Sequence, residues 1–150
     1  MMCKIINDIP KGKTNMHANT FEYSVLIKET YLDTFGHMNN ATYLTLFEEA
    51  RWDLITQRGF GLHKIKESGT GPTVLEISIK YLKELYLRDQ IIIKTKMLSY
   101  EGKIGRLQQE MWRGETLCCQ AEFVFGLFSL KERKLIHPTP EWLQAVGYQS

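Results

Sequence analysis

The sequence has little cysteine and no long apolar run, and each shortage excludes a class of protein. Its three cysteines are Cys3, Cys118 and Cys119, an odd number with two adjacent and no Cys-x-x-Cys pair, so we expect free thiols in a reducing cytoplasm. No apolar run approaches the roughly 20 residues that a transmembrane helix needs. The first residues, MMCKIINDIPKGK, contain no continuous apolar stretch of the kind found in signal peptides. We therefore expect a cytoplasmic protein without a membrane span.

The net charge of the chain is also small. At +2 it is too small to favour a nucleic-acid partner. The four histidines, His17, His37, His63 and His137, do not have the spacing of metal ligands, so no metal site is expected. A chain of 150 residues with 43% hydrophobic side chains suits one globular domain with a substantial core.

The first half of the chain predicts a tail, a strand and a long helix. Residues 1–20 are polar and without periodicity, so we expect an N-terminal tail, with a single domain over 21–150. FEYSVLIK (21–28) has the β-branched and aromatic content of a strand. From Asn40 to Arg58, apolar residues recur at helical spacing, and Gly59 is a good stop signal. The predicted apolar stripe consists of Tyr43, Phe47, Ala50 and Leu54, widened by Leu44, Leu46 and Ile55.

The second half reads mostly as antiparallel β-structure. The predicted strands are PTVLEISIKYL (72–82), DQIIIKTKMLSY (89–100), KIGRLQQEMWR (103–113) and TLCCQAEFVFGLFSL (116–130). Hairpin turns are predicted at Glu101-Gly102 and Gly114-Glu115, and a short helix over 139–146 with Thr139 as its N-cap. The fold class is therefore α+β, with one long helix wrapped by an antiparallel sheet of about five strands. The exposed edges of such a sheet are commonly covered by dimerisation.

Polar residues crowd the segment that leads into the long helix, LDTFGHMNNATY (32–43). Asn39 or Asn40 is a natural N-cap, and Gly36 allows a positive φ or a close approach of chain to ligand. The unpaired N–H groups of a first helical turn can serve as oxyanion donors. Asp33 precedes them on the loop. Donors that polarise a carbonyl, beside a carboxylate that attacks it or deprotonates water, form a plausible acyl-transfer site.

A structural interpretation of the same residues stays open. Asp33 would then form an Asx-type turn or interact with the helix dipole, and His37 would bond a backbone carbonyl. Glu48, Glu49 and Arg51 would form a solvated or dimer-facing helix surface with i,i+3 pairs.

The segments YLDTFGHMNNATY and FEEAR together resemble the hotdog-fold thioesterases, specifically the 4-hydroxybenzoyl-CoA thioesterase-like family. Members carry a pattern close to D-x-D-x-x-G-H-x-N-N-x-x-Y, often followed by phenylalanine, one or two glutamates, alanine and arginine. The matching positions are Asp33, Gly36, His37, Asn39, Asn40, Tyr43, Phe47, Glu48, Ala50 and Arg51. The resemblance covers roughly residues 21–130, and the strand–helix–four-strand order is also the hotdog order. One departure is Tyr31, which stands where the family pattern has its first aspartate.

The resemblance implies a homodimer or tetramer, with two sheets joined edge to edge and active sites between subunits. It implies that Asp33 is the catalytic carboxylate and that a backbone N–H near Asn40 polarises the thioester carbonyl. His37 would support the loop or contact substrate. Plant acyl-carrier-protein thioesterases have a similar HxNNxxY run with an asparagine two residues before the histidine. Because Phe35 holds that position here, their asparagine–histidine chemistry is not carried over.

Substrate contacts follow from the same resemblance. Gly36 and Asn39 would contact substrate at the loop, and Tyr43 and Phe47 would line the acyl pocket, with core packing as the alternative for both. Basic residues would bind the CoA phosphates; the candidates are Lys103 and Arg106, with Lys83 and Arg88 behind them, and all four are equally compatible with a solvated surface.

The sequence thus predicts an acyl-CoA thioesterase that needs no cofactor. One alternative is an acyl-carrier-protein thioesterase. Another is a non-catalytic acyl-CoA binding protein, which Tyr31 favours. An enoyl hydratase on the same fold fits less well, because it would want an aspartate and histidine five residues apart with an asparagine-proline pair between them.

Overall fold

The computed structural model describes residues 19–148, so the predicted N-terminal tail lies outside the described residues except for its last two positions. The described chain runs, in order, through β1 (Thr20–Leu26), a 3-10 turn (Glu29–Tyr31), α1 (Asn40–Gln57), α2 (Leu62–Ser68), β2 (Thr70–Tyr81), β3 (Gln90–Glu101), β4 (Ile104–Arg113), β5 (Thr116–Ser129), β6 (Lys134–Ile136) and α3 (Pro140–Ala145). Within these residues no helix is both long and apolar enough to cross a bilayer.

The strands form one antiparallel sheet in the order β1-β3-β4-β5-β2, and β6 pairs with β5. The predicted architecture, one long helix against an antiparallel sheet, is confirmed, with six strands in place of about five. β2 is an edge strand with a register shift between Val74 and Glu76. Its apolar side chains at Val74, Ile77 and Tyr81 are between a third and a half exposed.

The core lies between α1 and the sheet. The side chains that α1 buries are Tyr43, Leu46, Phe47, Ala50 and Ile55. Phe47 meets Phe123 of β5 edge-on, with ring centroids 5.9 Å apart. Trp142 of α3 closes one end of this core against Phe60, at 5.0 Å between centroids. Burying a side chain of this size stabilises the fold by about 1.5–3 kcal/mol.

The helix boundaries follow from capping chemistry. Asn39 is the N-cap of α1, because its Oδ1 accepts a hydrogen bond from the Ala41 N–H at 2.9 Å. The helix ends at Gln57, one residue before the predicted end, and Gly59 leaves it with a φ of +88°. Thr139 caps α3 as predicted, its Oγ1 accepting from the Trp142 N–H at 3.2 Å.

Three features differ from the prediction. α2 and β6 were not predicted, because seven and three residues are too short for a clear periodic pattern. The first hairpin turn is centred on Gly102 and Lys103, one residue later than predicted, since Glu101 is still paired in β3.

The cysteines agree with the expectation of free thiols. Cys118 and Cys119 are free thiols and both are fully buried in β5, while Cys3 lies outside the described residues.

Candidate active site

The loop before α1 is a tight turn closed by its own backbone. The Asp33 N–H donates to the His37 carbonyl at 2.9 Å, and the Gly36 N–H donates to the Asp33 carbonyl at 3.2 Å. Leu32 and Met38 form an isolated antiparallel bridge at the base of this turn. Gly36 has a φ of +88°, a conformation that side-chain-bearing residues adopt only with strain. These backbone contacts therefore hold Asp33 at a defined position relative to the start of α1.

The Asp33 carboxylate has two different surroundings, one for each oxygen. Oδ1 accepts a hydrogen bond from the Phe35 N–H at 2.8 Å, which is the Asx-type turn of the structural interpretation. Oδ2 lies 3.6 Å from His37 Nδ1. The turn therefore occupies one oxygen and leaves the other without a backbone partner among residues 19–148, so the structural and catalytic interpretations are compatible.

His37 lies between two carboxylates. Its Nε2 is 3.8 Å from Glu84 Oε1, while its Nδ1 faces Asp33 and is 3.4 Å from the Met38 carbonyl. Glu84 is held in turn by the Tyr86 hydroxyl, which donates to it at 2.6 Å. A backbone bridge between His37 and Tyr86 brings the β2–β3 loop to this position. These distances suit electrostatic contact or a shared water better than direct hydrogen bonds.

The start of α1 leaves one backbone donor open. The Ala41 N–H is taken by the Asn39 side chain, and the Thr42 N–H donates to the Asn39 carbonyl at 3.0 Å. The Asn40 N–H donates to no acceptor within residues 19–148. The Asn40 carbonyl accepts from the Tyr81 hydroxyl at 2.9 Å, which ties this turn to the end of β2. Asn40 thus presents an open N–H at the positive end of the helix.

These groups surround a cavity of about 580 Å³. Its lining consists of Asp33, Phe35, His37, Met38, Asn39, Asn40, Tyr43, Tyr81, Leu82, Lys83 and Glu84. Tyr43 packs edge-on against Tyr81 at 5.0 Å between ring centroids. Burial raises the pKa of Tyr43 to about 12, so its phenol is neutral at physiological pH. Within the described residues, no group of three His, Cys, Asp or Glu side chains is arranged to hold a metal ion.

The structure brings together most, but not all, of the predicted site. Phe47 is fully buried against Phe123 and does not line the cavity, as the core-packing alternative anticipated. Gly36 shapes the loop without lining the cavity. Asp33, His37, Asn39, Asn40 and Tyr43 all line it.

Of the four basic residues predicted to bind the CoA phosphates, one secondary candidate lines the cavity and the two leading candidates do not. Lys103 lies at the β3–β4 turn. Arg106, on β4, has its Nη1 3.4 Å from Glu122 Oε1 on β5. Neither residue lines the cavity. β3 spans 12 residues, about 40 Å, and the Asp33 loop lies near its beginning whereas Lys103 follows its end. Within one chain they are therefore remote from Asp33. Lys83, one of the secondary candidates, does line the cavity, whereas Arg88 pairs with Glu29.

Sequence reasoning missed the wall that β2 and its following loop contribute. Tyr81, Leu82 and Glu84 reach the cavity because the bridge between His37 and Tyr86 folds this loop over the helix start. In the sequence these residues appear only as the end of a strand and a polar loop, KELYLRD. No local pattern links them to Asp33, since the contact depends on tertiary structure.

The sequence and the fold are similar to those of known proteins. Residues 27–147 match the sequence model of the Thioesterase-like superfamily. The chain is 31% identical over 85 residues to the long-chain acyl-CoA thioesterase FadM of Escherichia coli, covering 57% of this chain and 64% of FadM. It is 25% identical over 87 residues to the chloroplastic acyl-acyl carrier protein thioesterase ATL3 of Arabidopsis thaliana, covering 58% of this chain and 44% of ATL3. The matched regions thus span less than two thirds of either relative.

A solved structure shares the fold over nearly its whole length. The YbaW probable thioesterase of Escherichia coli superposes with a TM-score of 0.75 at 25% identity, covering 84% of this chain and 96% of YbaW. The hotdog architecture predicted from the motif is therefore confirmed.

Proposed function

Because this chain belongs to the thioesterase-like superfamily, we propose that it hydrolyses an acyl-CoA thioester to a free acid and CoA, with Asp33 as the catalytic carboxylate. The observation that carries this proposal is the convergence of two groups on one cavity. The Asp33 carboxylate keeps Oδ2 without a backbone partner, and the Asn40 N–H has no acceptor within residues 19–148. FadM is a long-chain acyl-CoA thioesterase, and this similarity supports CoA as the carrier and makes long acyl chains the first substrates to test.

The proposed chemistry uses these two groups directly. The thioester carbonyl oxygen accepts from the Asn40 N–H at the helix start, which stabilises the negative charge that develops there. Asp33 Oδ2 then either attacks the carbonyl carbon, expelling the CoA thiolate and leaving a mixed anhydride for water to open, or removes a proton from an attacking water. Both routes give a carboxylic acid and CoA. His37, between Asp33 and Glu84, positions the carboxylate in either route.

The cavity wall supplies the remaining roles. Tyr43 and Tyr81 form a wall of neutral aromatic side chains beside the helix start. Lys83 provides a cation on the same wall, and we assign to it the contact with a CoA phosphate. Lys103 and Arg106 would reach CoA only from a second copy of the chain.

The test is a thiol-release assay with short, medium, long and aromatic acyl-CoAs on wild type and Asp33→Asn. We expect kcat/KM of the variant to fall by about a thousandfold, roughly 4 kcal/mol of transition-state stabilisation. The asparagine side-chain oxygen can still accept from the Phe35 N–H, so the fold should be retained. Thr34→Ala, an exposed neighbour on the same loop, is the matched control and should stay within about twofold of wild type. Near-normal turnover by Asp33→Asn would remove Asp33 from the mechanism.

A second candidate, hydrolysis of acyl-carrier-protein thioesters, is favoured by the match to ATL3. The same assay with acyl-carrier proteins distinguishes the two carriers. Turnover restricted to the carrier protein would support this second candidate, and tight acyl-CoA binding without thiol release would identify a binding protein instead.

A further inference from the structure

A second cavity, of about 340 Å³, lies farther along α1. It is bounded by the C-terminal half of α1, the beginning of β2, the central strands and α3. Its lining includes Glu48, Arg51, Trp52, Val74, Phe123 and Trp142. None of these residues lines the cavity at Asp33, and most are apolar. Trp52 and Val74, each more than a third exposed, place an opening on the side of the β2 edge.

Arg51 is fixed in the wall of this cavity by a buried polar network. Its Nη1 donates to Gln109 Oε1 at 2.8 Å, and its guanidinium carbon lies 4.2 Å from the centroid of the Phe123 ring. Gln109 is fully buried and donates from Nε2 to the Phe47 carbonyl and to Thr95 Oγ1. Arg51 is therefore only partly exposed and is tied to the core, whereas Glu48 and Glu49 beside it are exposed, as expected for a solvated or dimer-facing helix surface. The network holds the guanidinium at the cavity in a defined orientation.

Arg51 forms no ion pair with a carboxylate of residues 19–148. Burial lowers the pKa of Arg51 to about 10, which still leaves it protonated at neutral pH, and the charge of Glu48 one turn earlier acts in the opposite direction. Within residues 19–148, no carboxylate oxygen lies within 4.0 Å of this guanidinium. Arg51 is partly buried, and arginines removed from water are usually paired. A guanidinium carries five N–H donors, and Gln109 engages one nitrogen of the group.

We propose that this cavity binds the carboxylate of a hydrocarbon chain, with the carboxylate on Arg51 and the chain against the apolar walls. The planar guanidinium matches a carboxylate in a bidentate arrangement, and the apolar lining excludes water from the chain. The exposed carboxylate of Glu48 at the rim repels a phosphate, with its higher negative charge, more strongly than a singly charged carboxylate. The carboxylate can come from a free fatty acid or from the far end of a dicarboxylic acyl group on CoA. The site does not depend on the proposed hydrolysis.

Tryptophan fluorescence reports occupancy directly, because two of the three tryptophans, Trp52 and Trp142, line the cavity. The probes are decanoate and decanol, which share a chain length and differ in charge, titrated below their aggregation limits into the full chain. We expect decanoate to bind at least tenfold more tightly than decanol. Arg51→Met should reduce decanoate to the affinity of decanol, and Arg51→Lys should keep part of the preference. Arg58→Met, a control at the C-cap of α1 and outside the cavity, should keep all of it.

Equal affinity for the two probes in wild type, or an unchanged preference in Arg51→Met, would overturn the proposal. If Arg51→Met does not fold, Val74→Trp provides an independent variant, because a large side chain at the rim should abolish binding of both probes. Unaltered binding by Val74→Trp would also overturn it.

The two sources of the carboxylate are separated by kcat/KM for monocarboxylic and dicarboxylic acyl-CoAs of matched length. A preference for the dicarboxylic substrate that Arg51→Met loses assigns the site to the acyl group, and its absence assigns the site to free acids. Decanoate binding by Asp33→Asn should equal that of wild type, so failure of the hydrolysis proposal and failure of this site are distinguishable.

Discussion

Asp33 shows how one side chain can combine a structural and a chemical task. Oδ1 closes the Asx turn through the Phe35 N–H, and Oδ2 is oriented toward His37. Removing the charge and removing the hydrogen-bond acceptor are therefore separate changes at this residue. Asparagine makes the first change, and alanine makes both.

This separation predicts different stabilities for two inactive variants. Asp33→Asn should unfold at nearly the same denaturant concentration as wild type, because the turn keeps its acceptor. Asp33→Ala should lose about 1 kcal/mol more, the usual value of one hydrogen bond, with equally low thiol release. Urea unfolding followed by circular dichroism measures both. Equal stability of the two variants would show that the Phe35 N–H bond contributes nothing to the fold.

The buried thiol of Cys119 makes the free energy of unfolding depend on pH in the alkaline range. Burial raises the pKa of this thiol from its ordinary value of 9.0 to about 12. Between these values the thiol ionises in the unfolded chain but stays protonated in the fold, so the unfolded state binds fewer protons and stability falls as pH rises. At pH 10 the loss from this group is about 1.4 kcal/mol. Urea unfolding of wild type and Cys119→Ala at pH 7.5 and 10 measures this effect. The free energy of unfolding should fall less between the two pH values in Cys119→Ala than in wild type. An identical fall in both proteins would exclude Cys119 as its source.

At the scale of elements, predictability follows length and locality. α1 and the long strands were predictable because their apolar periodicity extends over ten or more residues and their ends carry capping or turn residues such as Asn39 and Gly114. α2 and β6 are too short for that signal. Within the site, Asp33 to Asn40 are contiguous in sequence and therefore visible as a motif. Glu84 was not predictable, because only the tertiary pairing of its loop with His37 brings it there.

The start of α1 provides a prediction that separates capping from substrate contact. Asn39→Ala should lower stability by about 1 kcal/mol, because the Ala41 N–H loses its acceptor, and Asn39→Asp should restore it. Asn40→Ala is the matched control, with an expected change within about 0.5 kcal/mol. It should also retain thiol release, because the proposed donor is the backbone N–H of Asn40. Loss of activity in Asn40→Ala with unchanged stability would assign the role to its side chain instead.

At the scale of the whole molecule, β2 is both the edge of the sheet and one wall of each cavity. Tyr81, at its end, lines the cavity at Asp33, and Val74, near its beginning, lines the cavity at Arg51. Along the 12 residues of β2, one side pairs with β5 and the other side pairs with no strand of the described chain. An unpaired edge with exposed apolar side chains is a template for strand pairing. The homodimer implied by the sequence motif would use this edge, and the partner would then border the opening of each cavity.

Pairing through β2 predicts that a charge on this strand separates the subunits. We expect wild type to be a dimer by light scattering coupled to size-exclusion chromatography, and Ile77→Glu to be monomeric, since Ile77 is 42% exposed and would carry a charge into the contact. Leu62→Glu is the matched control: Leu62 is exposed at the first position of α2, outside β2, and this variant should remain dimeric. Thiol release should fall in Ile77→Glu alone, because β2 forms part of the cavity wall. A dimeric and fully active Ile77→Glu would place the subunit contact elsewhere and leave the cavity at Asp33 complete within one chain.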